Sequence, residues 1–492
     1  MSFFIYDISF LILFSLIVGI FLWKRRKNLK REGIMYLYRT QVGVKFINYV
    51  GKKYKRTLRV MSFLAVISGY VLMMSMIYFL GRLIYIYFFL PDVVRAIKIP
   101  PLMPLIPYLP SLFKISFLPP FYFTYWIIAI ACIAVFHEFA HGIIAKRYGV
   151  KIKTTGFGFL GPFLAAFVEP DEKQMAKKTK FQQIAVLSAG TFVNLILAIL
   201  FFLLLAGFFA FAYVPGGAMF NSYASGIVSV SAISMVDGVN ISNPSIEGLL
   251  KTIASNNFTD DLIVGSNGNQ LNFTKIIANG DTYYITIDNL KEQLEYAQKQ
   301  GISDVALYYD LPAINAGLRG IIVQIESKEI KTTEDIGLVL ENFHAYENIT
   351  IITEDNGERL TYEIQLGENP EIKGKPMIGI GYQSIQTEGI LAKISNIFNF
   401  YKKPATLYKP RFNADFVVFI YNLIWWLALI NFSVALVNMW PVAIFDGGRM
   451  FMLTIWAITK SEKFAQLAFK LVTYFILIAL LALMWGWFSA IF

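Results

Sequence analysis

The chain has 492 residues, of which 56% are hydrophobic and 16% are charged. A soluble globular domain is typically about 45–50% apolar and about 25% charged, so the composition excludes an ordinary soluble protein. The net charge of +11 could suit a nucleic-acid binder. However, the basic residues are grouped beside apolar runs, as in membrane proteins, and we expect no nucleic-acid partner.

Six apolar runs recur along the chain, each close to or above the roughly 20 residues that cross a bilayer. They cover residues 8–23, 61–80, 121–144, 184–213, 416–437 and 471–491. The first run precedes a dense basic block and shows no small-residue cleavage site, which favours a retained span over a signal peptide. We therefore predict a polytopic α-helical membrane protein with about six transmembrane helices.

Lysine and arginine concentrate after the first run and between the third and fourth runs. Cytoplasmic loops carry such an excess of basic residues, so the pattern predicts an extracytoplasmic N-terminus. Residues 401–411 are also basic and fall on the outer side in this arrangement, at the end of a long translocated region where the rule is weak. Throughout its spans, the multi-pass protein is expected to contact membrane lipid.

The stretch "TTGFGFLGPFLAAFVEP", residues 154–170, is apolar and interrupted by glycine. Its basic flanks place both ends on the cytoplasmic side, so we predict a re-entrant hairpin rather than a span. Non-helical backbone at membrane depth must lie against protein or water. The hairpin is therefore expected to pack within the helix bundle or line a cavity.

A polar insert, residues 214–395, separates the fourth and fifth runs and is expected on the extracytoplasmic side. In its second half, residues 305–385, two strand-like runs flank Asn356-Gly357, which is a strong hairpin signal. With "LPAINAGLRG" before them, these elements resemble a PDZ domain. Residues 222–304 are weakly similar to this second half and could be either a degenerate PDZ-like copy or a fragment of one. The resemblance implies an extramembrane α+β insert that binds peptide termini.

The motif "HEFAH" holds two of the three histidines in the chain. On a helix, His137 and His141 lie one turn apart on the same face, so both imidazoles can reach one metal ion. Glu138 points about 100° away, where it can act on bound water rather than as a ligand. The alternatives are a buried polar cluster or two pore-lining histidines. The scarcity of histidine and the ligand spacing favour a metal site.

A catalytic zinc needs a third protein ligand and an open position. Carboxylates are rare in the apolar runs, and the best candidate is Asp446 in "NMWPVAIFDGG". Pro441 ends the preceding helix, and Gly447-Gly448 allow the backbone to turn tightly. Taken alone, "DGG" could equally be a loop turn with the aspartate capping the next helix.

Together, "HEFAH" and "NMWPVAIFDGG" resemble the paired motifs of the site-2 protease family of intramembrane zinc metalloproteases. The resemblance implies one Zn²⁺ per chain, held by His137, His141 and Asp446, with Glu138 as the general base. It implies a zinc metalloendopeptidase that cuts transmembrane or membrane-anchored proteins in regulated intramembrane proteolysis. The zinc site is expected in the cytoplasmic half of the membrane, because His141 is close to the basic residue Lys146.

The predicted organisation has four parts. They are an N-terminal region with two spans (1–118), a first core part (119–213), the insert (214–395) and a second core part with the last span (396–492). An edge of the re-entrant hairpin is expected to pair with an unwound substrate as an added strand. Candidates for contact with substrate or oxyanion are Asn438, Asn194, Gly156 and Gly158.

Two other functions are weighed against the protease. A catalytically inactive scaffold could bind peptides through the PDZ-like insert, but a scaffold has no need to keep Glu138 and Asp446. A metal transporter could use a His/Asp site, but transporters often show internal repeats of their spans, and none is evident. The sequence therefore favours the protease.

Overall fold

The computed structural model describes residues 3–32, 35–90, 94, 100–101, 103–113, 115, 118–160, 163–256, 258, 260–264, 270–369, 372–381 and 399–491. The chain forms two compact units. The membrane unit comprises Met1–Phe209 and Asp415–Phe492, and the insert unit comprises Ala210–Ala414.

The helices include one at each of the six apolar runs, together with shorter helices between them and in the insert unit. They are α1 (Phe3–Arg25), α2 (Val44–Lys53), α3 (Lys55–Phe89), α4 (Leu109–Leu112), α5 (Phe123–Arg147), α6 (Glu172–Ala176), α7 (Lys180–Ala212), α8 (Ile246–Ser255), α9 (Ile287–Gln300), α10 (Pro312–Asn315), α11 (Thr333–Leu340), α12 (Ala414–Val437), α13 (Asp446–Thr459) and α14 (Glu462–Ile491), with 3₁₀ turns at Arg26–Asn28 and Val230–Ala232.

The strands are short and pair with their neighbours in antiparallel fashion. They are β1 (Leu29–Glu32), β2 (Met35–Thr40), β3 (Ile152–Leu160), β4 (Phe163–Pro170), β5 (Tyr213–Ala218), β6 (Ser222–Tyr223), β7 (Ser225–Ser229), β8 (Ile233–Val236), β9 (Val239–Asn240), β10 (Asp261–Val264), β11 (Gln270–Ala278), β12 (Asp281–Ile285), β13 (Asp304–Tyr309), β14 (Ile321–Ile325), β15 (Lys328–Glu329), β16 (Asn348–Asp355), β17 (Glu358–Gln365), β18 (Gly367–Glu368), β19 (Pro376–Met377), β20 (Ile380–Gly381) and β21 (Thr406–Pro410).

Among the described helices, six are long and apolar enough to cross a membrane, namely α1, α3, α5, α7, α12 and α14. A helix satisfies its backbone hydrogen bonds internally, which a segment surrounded by lipid requires. Each of the six predicted spans coincides with one of these helices, so the multi-pass α-helical prediction is confirmed.

Helix α3 is an integral part of the bundle rather than a peripheral anchor. Its side chains pack into a buried cluster with residues of α7, α12 and α13. Gly69 brings the backbone of α3 close to Ser188 of α7 and Met450 of α13, and the Tyr70 hydroxyl lies 2.6 Å from the Thr454 hydroxyl of α13. The second span therefore packs against α7, α12 and α13 as part of the helix bundle.

Helix α1 is largely exposed along its length, but one carboxylate ties it to the start of α5. Asp7 is buried and accepts hydrogen bonds at 2.8 Å from the backbone N–H groups of Phe123 and Thr124. The Thr124 and Tyr108 hydroxyls also donate to it. Because the first N–H groups of a helix lack intrahelical partners, Asp7 caps α5 from a neighbouring helix.

Four antiparallel strands form the sheet of the membrane unit, in the order β1-β2-β3-β4. The predicted apolar hairpin supplies β3 and β4, joined through residues 161–162, which lie outside the described part of the chain. The hairpin β1–β2 was not predicted, because its sequence belongs to the basic block that follows the first span. It pairs with β3, so β4 is left at the outer edge.

The first half of the insert unit has an α+β fold with its own hydrophobic core. Seven strands form its sheet, in the order β7-β13-β12-β11-β8-β9 with β10 beside β11. Helices α8 and α9 contribute Leu249, Leu290 and Leu294 to the core. The sheet of this half extends past residue 304, because β13 pairs with β7 and β12.

The second half of the insert unit has a separate core around Ile322, Ile351 and Tyr362. Its sheet has the order β17-β16-β14-β5-β21, with β15 beside β14, and at the start of α11 the Asp335 carboxylate accepts the Thr332 N–H at 2.8 Å. The predicted hairpin at Asn356-Gly357 joins β16 and β17. The smaller pairs β18–β19 and β6–β20 complete the unit. An α+β insert is therefore present, and its PDZ-like identity remains a prediction.

Candidate active site

Helix α5 carries His137, Glu138 and His141 in its second half. The two histidines share a face, as their spacing predicts, and their Nε2 atoms are 3.0 Å apart. His137 is buried, and Glu138 and His141 are half-buried. Ligand atoms from all three side chains lie within 4.8 Å of one another, so α5 alone supplies three of the polar groups that the sequence singles out.

Asp446 reaches the same point from a different helix. Helix α12 ends at Val437, and the chain turns through Pro441 before α13 begins at Asp446. In this turn the Gly447 N–H donates to the Asn438 carbonyl at 2.8 Å, and Gly447 and Gly448 pack directly against the backbone of residues 439–442. The glycines thus serve close packing, and they place the aspartate at the first position of α13.

The Asp446 carboxylate completes a three-atom cluster with the two imidazoles. Its Oδ2 atom is 3.4 Å from His137 Nε2 and 3.3 Å from His141 Nε2. The two motifs, about 300 residues apart in the sequence, therefore meet at one point in the structure.

One face of α7 packs against this cluster through Val186, Gly190 and Asn194. These residues recur every four positions and so lie on one face of the helix. A Cβ atom at Gly190 would lie 2.5 Å from His141 Nε2 and 2.6 Å from His137 Nε2. Only glycine leaves room for both rings, a role that the sequence analysis missed. The available signal was a glycine one turn before the only asparagine of a largely apolar helix.

The second nitrogen of each imidazole is engaged by α7. His141 Nδ1 lies 2.6 Å from the Val186 carbonyl, which can only accept, so this nitrogen carries the proton. The Asn194 side-chain nitrogen lies 3.0 Å from His137 Nδ1, and its oxygen has no hydrogen-bond partner among the described residues. A half-turn of the amide lets that oxygen accept from Nδ1–H. Both Nε2 lone pairs are then free for a cation.

The cluster fits a zinc ion by its donor set and its dimensions. Zinc binds imidazole nitrogen and carboxylate oxygen at about 2.0–2.2 Å in a tetrahedral arrangement, which separates ligand atoms by about 3.3 Å. The three observed separations are 3.0, 3.3 and 3.4 Å. Three protein ligands also leave the fourth position open, as a catalytic site requires. His137, His141 and Asp446 would hold the ion.

Glu138 is held beside the cluster by the sheet. Its Oε2 atom accepts a hydrogen bond from the Val168 backbone N–H of β4 at 3.0 Å. The carboxylate is therefore held at the outer edge of β4, with a carboxylate oxygen within 4.8 Å of a ring nitrogen of each histidine. This is the placement expected of a general base rather than of a fourth ligand.

A cavity of about 1300 Å³ opens onto the cluster within the membrane unit. One wall is β4 from Leu164 to Pro170, and the other is formed by α12 and α13. Asn438 lines this cavity, and within the described part of the chain its side-chain amide makes no hydrogen bond. It is therefore free to bind a molecule in the cavity.

The other candidates for substrate contact have different surroundings. Asn194 is fully buried behind His137, so it orients the ring and cannot reach a substrate. Gly156 and Gly158 lie in β3, which is paired on both sides by β2 and β4. The space beside Gly156 is filled by the Phe167 ring and the Tyr38 carbonyl, so this glycine serves sheet packing. Gly158 does line the cavity.

The cluster and its apolar surroundings place the chain among the membrane metalloproteases. Comparison with known families narrows this class, because residues 125–483 match peptidase family M50, the site-2 protease family. The match covers well over half of the chain, and the protein belongs to that family. Helix α1, the β1–β2 hairpin and α3 precede the matched region.

Three relatives of the chain are similar to it over part or most of their length. An uncharacterized protein of Methanocaldococcus jannaschii is 29% identical over 193 residues, which are 38% of this chain and 48% of the relative. Two Xylella fastidiosa proteins, from strains 9a5c and Temecula1, provisionally bear the name zinc metalloprotease. They are 20% identical over 414 and 406 residues, or 68% and 67% of this chain and 91% and 89% of the relatives. The chain thus spans about half of the first relative and about nine tenths of the other two.

Proposed function

We propose that this protein is an intramembrane zinc metalloprotease that hydrolyses peptide bonds within transmembrane or membrane-anchored proteins. The observation that carries the proposal is the meeting of His137, His141 and Asp446 against Gly190, inside a unit built from membrane-spanning helices. The resemblance of the two motifs to those of the site-2 protease family supports a role in regulated intramembrane proteolysis.

The chemistry divides between the cluster and its neighbours. When bound, zinc supplies the positive charge that polarises water and the peptide carbonyl. Glu138 accepts the proton of the attacking water and passes it to the leaving amine, which is the ordinary cycle of a general base. The Asn438 amide is placed to donate a hydrogen bond to the carbonyl oxygen as negative charge develops there.

The substrate must be locally extended before it can react. A transmembrane helix hides its peptide groups in i→i−4 hydrogen bonds, and a carbonyl in such a bond is not open to attack. The outer edge of β4 lines the cavity beside Glu138 and offers backbone groups to an added strand. The hydrogen bonds of this new pairing offset part of the free-energy cost of unwinding the substrate helix.

In this proposal the zinc site and the insert unit belong to opposite sides of the membrane. The basic loops next to α5 and α7 support a zinc site in the cytoplasmic half, with the insert unit on the extracytoplasmic side. The insert unit would then bind peptide termini outside the membrane, as its resemblance to PDZ domains implies. Such binding suits an enzyme that cuts a substrate after its outer domain has been removed.

The test is a matched pair of variants purified in detergent, with zinc per chain and cleavage of a transmembrane substrate both measured. Glu138→Gln is expected to keep zinc and to lose cleavage by at least about a hundredfold. His141→Ala is expected to lose both zinc and cleavage, because two ligands do not hold a catalytic zinc.

Two outcomes would overturn the proposal. Cleavage by the Glu138→Gln variant at the wild-type rate would remove the general base. Wild-type protein that holds zinc but cleaves no transmembrane substrate, while still binding peptides through the insert unit, would favour the inactive scaffold.

A further inference from the structure

The hydrogen bond between Glu138 and Val168 occupies one position on the open edge of β4. Strand β4 pairs only with β3 among the described strands. Its outer edge faces the cavity that opens onto the metal cluster. Glu138 Oε2 accepts the Val168 N–H at 3.0 Å, so this edge donor is already used by the protein itself.

The register of the hairpin shows which other backbone groups point outwards. In an antiparallel pair, residues alternate between exchanging hydrogen bonds with the partner strand and facing away from it. Val168 lies opposite Thr155, Ala166 opposite Phe157 and Leu164 opposite Phe159. Since the Val168 N–H points outwards to Glu138, the N–H and C=O groups of Ala166 and Leu164 point outwards as well.

Among the residues that the structure describes, no partner occupies the outer side of these two residues. Within the described part of the chain, neither Ala166 nor Leu164 takes part in a hydrogen bond beyond the β3 pairing. Their outward groups border the cavity. The edge therefore offers two free residues and, two positions further on, a third whose N–H is held by the catalytic carboxylate.

We propose that the Val168 N–H is a positioning group that holds Glu138, and that it sets the register of the substrate. The inference rests on the proposed function and deepens it. A substrate strand pairs with Leu164 and Ala166 and cannot continue its pairing at the Val168 N–H, because Glu138 occupies that donor. The peptide bond next along the substrate then lies beside Glu138 and the metal cluster, where it is cleaved.

Amide hydrogen exchange in the full-length Glu138→Gln protein tests the register without turnover. The probe is a synthetic transmembrane peptide that the wild-type enzyme cleaves. Peptide binding should slow exchange at the Ala166 and Leu164 amides and leave the Val168 amide unchanged, because the side-chain oxygen of the introduced glutamine still accepts from it. Glu138→Ala should speed exchange at Val168 alone. Equal protection of all three amides by the peptide, or of none, would overturn the inference.

Substitution by proline tests the positioning role. Val168→Pro removes the N–H at an edge position that the β3 pairing does not use, where proline is tolerated. Val168→Ala keeps the N–H and controls for the side chain. Relative to Val168→Ala, kcat of Val168→Pro should fall by about ten- to a hundredfold through misplacement of the base, with unchanged KM and unchanged zinc content. Ala166→Pro should instead raise KM.

The failure of this inference can be told apart from the failure of the proposed function. If the wild-type protein cleaves no transmembrane peptide, the proposed function fails. If it cleaves, but Val168→Pro and Val168→Ala have the same kcat, only the positioning role is wrong. If Val168→Pro raises KM as Ala166→Pro does, the Val168 N–H pairs with substrate instead, and the proposed register is wrong.

Discussion

The metal cluster and the outer edge of β4 lie side by side but are built in opposite ways. At the cluster, side chains from α5, α7 and α13 are packed so closely that Gly190 cannot carry even a methyl group. At the edge, the functional groups belong to the backbone, and those of Ala166 and Leu164 are left open towards the cavity. The first region depends on residue identity and the second on strand register.

The difference has a consequence for how each region tolerates change. Adding or removing one atom at the cluster alters the ligand geometry, because a close-packed site cannot relax freely. The edge can accept many side chains so long as its N–H and C=O groups keep their direction. Substitutions should therefore have large effects at the cluster and small effects at the sheet, unless they remove a backbone N–H.

The largest effect is expected from Gly190→Ala. The new methyl group would overlap the Nε2 atoms of both histidines, so one or both rings must move from the ligand position. Zinc per chain should fall close to zero, and cleavage should fall at least about a hundredfold. Gly207→Ala in the same helix, where nothing lies within 4 Å of the added atom, should retain both. A Gly190→Ala protein with full zinc and normal turnover would show that the cluster is not the metal site.

A smaller effect is expected from changes at Asn194. Residues that hydrogen-bond to a ligating histidine typically contribute about ten- to a hundredfold to metal affinity. Asn194→Leu removes the acceptor for His137 Nδ1–H and should weaken zinc binding by that amount in a competition with a chelator. Asn194→Asp keeps an acceptor oxygen and should bind zinc more tightly than Asn194→Leu. Equal affinities for the two variants would mean that Asn194 does not orient the ring.

The contrast between side chains and backbone also explains what could be predicted from the sequence. The six spans follow from apolar composition, because a lipid-facing helix needs about 20 apolar residues whatever its neighbours. The candidate ligands follow from residue type and spacing, and Asp446 stood out because carboxylates are rare in the apolar runs. These properties depend only on the composition and spacing of nearby residues, so they can be recognised without knowing which segments are in contact.

The features that were missed depend on contacts between distant segments. The β1–β2 hairpin is a short basic segment whose stability comes from pairing with β3, more than 100 residues away. Asn194 was named as a candidate for substrate or oxyanion contact, whereas its side chain lies 3.0 Å from His137 Nδ1. The place of β13 in the first half of the insert likewise depends on its pairing with β7. Register and side-chain direction are set by tertiary packing, which a single sequence does not specify.

The smallest effect is expected from Glu169, on the sheet beside the open edge. The Thr154 hydroxyl, at 2.7 Å, and the Arg39 guanidinium, at 3.2 Å, lower the pKa of the Glu169 carboxyl below its usual value. A carboxyl whose pKa is lower in the folded state adds stability above its unfolded pKa, and the gain disappears as the pH falls through the folded value. Because the pair is partly exposed, the gain should be below about 1 kcal/mol.

Hydrogen exchange of the β3 and β4 amides should therefore speed up slightly between neutral pH and pH values below about 4, after correction for the intrinsic exchange rate. Glu169→Gln should remove this added pH dependence. Glu172→Gln, at a residue without a hydrogen bond or ion pair in the described part of the chain, should preserve it. If Glu172→Gln changed the pH dependence as much as Glu169→Gln, a general loss of acidic charge rather than the Thr154 and Arg39 contacts would be the cause.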